Sequence, residues 1–156
     1  ELNNAQLSQR VCLVQEVFKQ AGIEYETPED MLRIMWWKFM INVGINQAAA
    51  VMRAPYGVFQ KMKDAQELME ALMREVIALA GVLGINLTDR DIEDWYKFLN
   101  TLSPQGKPSM LQDIEAGRKT EVEAFSGKVV DLGKTHAVPT PVNQTVFRII
   151  RVLEQN

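Results

Sequence analysis

Three polar side chains on one apolar stretch are the residues best placed to do chemistry. Ile34 to Asn46 reads IMWWKFMINVGIN, interrupted by Lys38, Asn42 and Asn46. Spaced i, i+4, i+8, they make one stripe on a helix, drifting about 40° per step at 3.6 residues per turn. The rest of the stretch is apolar nearly all round, as in a helix buried on most sides. Burying the three without partners would cost about 1–3 kcal/mol each, and more for the charge. Another segment, a cleft or a ligand must therefore face them. An ammonium in a partly desolvated cleft polarises a carbonyl, and burial makes it a readier proton donor. Two amides in line with it can orient a carboxylate or hydroxyl. The plainer readings are a lysine that snorkels to the surface or pairs with an acid, and asparagines bonded to a neighbouring helix.

Two further residues carry candidate roles. Ser109-Met110-Leu111-Gln112 has the capping-box pattern, so Ser109 reads as an N-cap; a helix start also suits a carboxylate through its free N–H groups. Glu121 reads as an acid of a first helical turn, favoured by the helix dipole. Cys12 and His136 stand alone, so no metal site is predicted, and one histidine beside a proline-rich turn makes a Ser-His-Asp set untenable. No glycine-rich phosphate loop follows a strand. Trp36, Trp37, Trp95 and Tyr96 read as core rather than as a stacking platform.

The elements that must hold these residues are helices. With 156 residues, 47% hydrophobic and 24% charged, the chain is of a size and composition to form one core. A net charge of −3 argues against nucleic-acid or anionic-membrane binding. One cysteine suits a reducing compartment, and no leader pattern is present, so a cytoplasmic location is expected. Lys38 and the asparagines make membrane insertion of residues 34–52 unfavourable. Apolar periodicity predicts an amphipathic helix over 4–20, stopped by Gly22. Residues 23–27 alternate like a short strand that either stays irregular or pairs outside this chain. The organising helix is predicted over 28–52, with Thr27 as cap and Pro28 as its first residue. Further helices follow over 64–80, from Thr88 with Asp91 as capping box, from Ser109, from Thr120 with Glu123 as capping box to about 135, and from Pro141. The predicted fold is all-α, a bundle of about seven helices.

Trp37-Lys38 with Asn42 and Asn46, Ser109-Met110-Leu111-Gln112-Asp113, Gly117-Arg118-Lys119-Thr120-Glu121 and Val138-Pro139-Thr140-Pro141-Val142-Asn143 together resemble the C-terminal domain of ketopantoate reductases (2-dehydropantoate 2-reductases). The resemblance covers nearly the whole chain, in order. It implies that residues 1–27 are the last helix and strand of an N-terminal Rossmann domain and that 28–156 form the helical substrate domain. It implies NADPH-dependent reduction of a branched 2-oxo acid, 2-dehydropantoate, to the 2-hydroxy acid, a step toward pantothenate and coenzyme A. Lys38 matches the family's proton donor, Asn42, Asn46 and Ser109 its substrate-binding positions, and Glu121 a residue beside the cofactor's nicotinamide end. Tyr56 stands where the family often has a substrate-contacting asparagine, which changes reach and pocket volume. The Rossmann domain, which would bind most of the NADPH, has no counterpart in these residues, so the chain alone is expected to be inactive. Two other readings are a non-catalytic helical module for homodimerisation or partner binding, and a related 3-hydroxy acid dehydrogenase.

Overall fold

Apolar periodicity near 3.6 becomes helix throughout, and no β-strand forms among the described residues. The structure, a computed structural model, describes residues 1–2 and 4–155; residues 3 and 156, one in each of the regions 1–27 and 28–156, lie outside the description. In chain order the elements are α1 (Gln9–Gln20), α2 (Met31–Ile41), a first π turn (Asn42–Asn46), α3 (Gln47–Met52), α4 (Tyr56–Lys61), α5 (Lys63–Val82), α6 (Asp89–Leu99), α7 (Ser109–Glu115), a second π turn (Glu123–Gly127), α8 (Lys128–His136) and α9 (Pro141–Leu153). α2, the first π turn and α3 form one unbroken rod, and the second π turn runs directly into α8. The bundle follows the expected order, with the short α4 added.

α5 is the central helix. Its stripe buries Ala65, Met69, Leu72, Met73, Val76, Leu79 and Ala80, and the rod, α4, α6, α8 and α9 pack around it. The rod lies close against α5 because Gly44 has no side chain: a Cβ there would sit 2.5 Å from Met73 Cε and 2.6 Å from Met73 Cγ. Burial along the rod is uneven. Residues 43–50 are all buried, whereas Leu32, Ile34 and Met35 are exposed. The expectation of a helix buried on most sides therefore holds for its second half alone; the first turns keep one side on the bundle, where Arg33 pairs with Asp91 of α6, and leave Leu32, Ile34 and Met35 exposed.

Several ends differ from the sequence reading. Thr27 does not cap the rod: its Oγ1 accepts from Gln15 Nε2 at 2.8 Å, and Asp30 is the cap, its Oδ1 accepting from Arg33 N at 2.9 Å. α1 starts at Gln9 rather than residue 4, capped by Ser8. Residues 23–27 form no strand; nothing described offers them a ladder. Thr88 and Asp91 do form the expected capping box, and Gly22 takes the left-handed conformation, φ +67°, that stops α1. No helix among the described residues is long and apolar enough to cross a membrane.

Candidate functional site

The site is built on a change of helical winding. Within residues 42–46 the backbone bonds run i→i+5, so each residue turns through less than the usual 100°. The drift that an α-helix would add between Asn42 and Asn46 is taken back. The two amides meet, Asn46 Nδ2 donating to Asn42 Oδ1 at 3.4 Å. Asn46, 7% exposed, also anchors α7: its Oδ1 accepts from Ser109 Oγ at 3.1 Å and from Met110 N at 3.3 Å. The plainer reading of Asn46, a bond to a neighbouring helix, and its membership of a polar cluster are thus both realised. Asn42 is half-buried.

Ser109 is not the N-cap. Pro108 holds that position, buried, and α7 begins on Ser109. Gln112 does not close a capping box either; its Nε2 donates to Lys107 O at 2.8 Å. The Ser109 hydroxyl is therefore released from helix capping and turned to Asn46. Lys38 departs from expectation in another way. It lies one turn before Asn42, about 6 Å along the axis, but it is exposed rather than set in a desolvated cleft. The reason is the uncovered first half of the rod. Among the described residues the Lys38 ammonium makes no hydrogen bond or ion pair, so the acid pairing is not realised. Asn42, Asn46 and Ser109 are thus brought together with Lys38 a turn away.

Glu121 is exposed, two residues before the second π turn, and its backbone oxygen accepts from Ala124 N at 2.9 Å and Phe125 N at 3.1 Å. The second capping box is not formed: Thr120 N donates to Glu154 Oε1 at 2.7 Å, in the place expected for Glu123. The two π turns pack against each other, and Glu121 lies in the segment that leads into the second. Tyr56 is half-buried with its ring on Gly106, and burial pushes its hydroxyl pKa up. Gly106 lies in the loop leading to Ser109. Among the described residues no group of three or more His, Cys, Asp or Glu could hold a metal ion.

A buried polar network behind the site is absent from the sequence reading. Gln47, Ser126 and Asn143 are each 0% exposed. Gln47 Oε1 accepts from Ser126 N at 3.1 Å, and Ser126 Oγ donates to Asn143 Oδ1 at 3.0 Å. Asn143 Nδ2 donates to Glu75 Oε2 at 2.8 Å. Glu75, on α5, also accepts the free N–H groups of Val142 and Asn143 at 2.8 and 2.9 Å, capping α9 from another helix. The one signal in the sequence was a lone glutamine before three alanines, on a segment otherwise reading as core.

The sequence profile of the ketopantoate reductase PanE/ApbA C-terminal family matches residues 30–154. A 2-dehydropantoate 2-reductase of Pyrobaculum aerophilum is 29% identical over 148 residues, covering 95% of this chain and 53% of that protein. The chain thus spans about half the length of the curated relatives it matches. A structure described as a dimeric ketopantoate reductase from Staphylococcus aureus superposes with a TM-score of 0.87 at 20% identity, covering 97% of this chain and 52% of that one. A D-mandelate dehydrogenase with NADH and anilino(oxo)acetate gives 0.84 at 19% identity, over 99% of this chain and 64% of that one. At those identities the two structures speak for the fold.

Proposed function

The chain belongs to the ketopantoate reductase PanE/ApbA C-terminal family, and on that premise we propose that it is the helical half of an NADPH-dependent 2-dehydropantoate 2-reductase. Residues 1–27 belong with the cofactor half and 28–156 form the substrate domain. The reading rests on one observation: Asn42, Asn46 and Ser109 form a bonded cluster, and the Lys38 ammonium, without a partner among the described residues, stands one turn away on the same rod.

Each residue has a part that its geometry permits. Asn42 keeps its Nδ2 without a partner among the described residues, so it can donate to a substrate carboxylate. Ser109 Oγ spends its proton on Asn46 and offers lone pairs to a substrate hydroxyl. Asn46 holds the two in place. When bound, the reduced nicotinamide supplies the hydride to the carbonyl carbon. Negative charge then gathers on the carbonyl oxygen, where the Lys38 ammonium stabilises it and delivers the proton that makes the hydroxyl. Glu121 is this chain's contribution beside the nicotinamide; no strand and glycine-rich loop for the diphosphate exists among the described residues, so the cofactor half must grip it.

The uncovered surface supports the same reading. α1 buries none of its residues. A second body over α1 and the start of the rod would cover that face and would desolvate Lys38. The test is the full-length protein, carrying the cofactor half, assayed for NADPH oxidation dependent on branched 2-oxo acids. Lys38→Ala is expected to lower the rate on the order of 10²–10⁴-fold. A loss of less than about tenfold, or no carbonyl-dependent oxidation by the unsubstituted protein, would overturn the assignment.

A further inference from the structure

Gln47 follows the first π turn directly and is fully buried. In a regular α-helix its backbone N–H would bond the Val43 carbonyl. Here that N–H turns to Gly44 O, and the side-chain Nε2 takes its place on Val43 O at 2.7 Å. The other end of the same amide, Oε1, accepts Ser126 N at 3.1 Å, and Ser126 lies in the second π turn. One planar group therefore closes the altered winding of one turn and fastens it to the other. Asn143 Oδ1 lies 3.5 Å from Gln47 Nε2 and accepts from Ser126 Oγ, which keeps the amide from turning over.

We propose that Gln47 is a positioning residue for the reduction: its buried amide holds the π turn that carries Asn42 and Asn46 against the turn that follows Glu121. The proposal rests on the reading of Asn42, Asn46 and Glu121 as site residues. Without the amide, Val43 O loses its side-chain donor, and α-helical winding, which satisfies that carbonyl from the backbone, becomes favoured. Asn46 then rotates away from both Asn42 and Ser109. Lys38, upstream of the turn, stays where it is. Substrate presentation suffers while proton delivery does not.

The test uses the full-length protein. Gln47→Met keeps the length of the side chain and removes the hydrogen bonds of the amide. We expect the KM for the 2-oxo acid to rise by about tenfold or more and kcat to stay within about threefold. Hydrogen exchange should quicken over residues 43–48 and 124–127 and stay unchanged in α6. Gln47→Leu, also apolar and close in volume, should give the same KM rise and serves if the methionine variant fails to fold. Leu99→Ala, a core change in α6, supplies a variant of lowered Tm whose KM should not move. A KM for Gln47→Met within about twofold of the parent, unchanged exchange over 43–48, or an equal KM rise in Leu99→Ala would overturn the proposal. If the parent reduces no 2-oxo acid, the site reading fails, and the exchange data still decide whether Gln47 holds the turn.

Discussion

At Ser109 two roles compete for one hydroxyl. A capping serine accepts a backbone N–H from two or three residues into its helix, and losing it costs about 1 kcal/mol. Ser109 instead donates to Asn46 Oδ1 from the first residue of α7. Ser109→Ala should therefore destabilise the fold by less than a cap would, while raising the KM for the 2-oxo acid about three- to tenfold, the value of one neutral hydrogen bond. Thermal unfolding and steady-state kinetics on the same preparation check this; a lowered Tm with unchanged KM would restore the capping role. Lys38, Asn42 and Asn46 were legible because a four-residue spacing is local and survives any tertiary arrangement. Gln47, Ser126, Asn143 and Glu75 were not, because Gln47 and Ser126 bond across 79 residues and Asn143 and Glu75 across 68.

Among elements, the junction of the rod with α5 matters most to the site. Gly44 sits inside the first π turn, where a methyl group would press on Met73. Gly44→Ala is expected to cost about 1–3 kcal/mol through overpacking. Met73→Ala alone should cost about 2–5 kcal/mol by opening a cavity. Combined, they should cost about 0.5–3 kcal/mol less than their sum, since each relieves the other. Denaturant unfolding of the four proteins measures that coupling, and additivity would mean that Gly44 is not needed for the close approach. Helix stops and caps that lie within a few residues, Gly22 and the Thr88–Asp91 box, were readable in advance. The Thr120–Glu123 pattern misled because Glu154, just past the end of α9, took the Thr120 N–H that Glu123 would have accepted; the Ser109–Gln112 pattern misled because α7 starts one residue earlier, with Pro108 as cap and Gln112 N–H on Pro108 O. The π turns had no signature, since the first packs against α5 and the second against α9, partners that tertiary packing supplies.

For the whole molecule, the uneven surface is the main finding. Leu13, Val14 and Val17 of α1 are 61%, 52% and 60% exposed, although their spacing marks an amphipathic helix. Too few described residues surround α1 to cover it. In the full-length protein, exchange over residues 9–20 is expected to slow by about tenfold or more relative to this chain alone, as burial converts local opening into a larger event. Exchange that slows instead with the concentration of the isolated chain would favour the module reading, in which a second copy covers the face.

The amino-acid sequence by itself determined the longer helices, their order and the stripe on which Lys38, Asn42 and Asn46 lie, because periodicity and short-range capping act within a few residues. Only the tertiary structure decided that two turns wind as π helix, that Asn46 spends its carbonyl on Ser109 and Met110, and that Lys38 stands in the open. Those outcomes depend on which distant donors and acceptors the packing brings together, and a backbone carbonyl or a buried amide accepts whichever partner arrives.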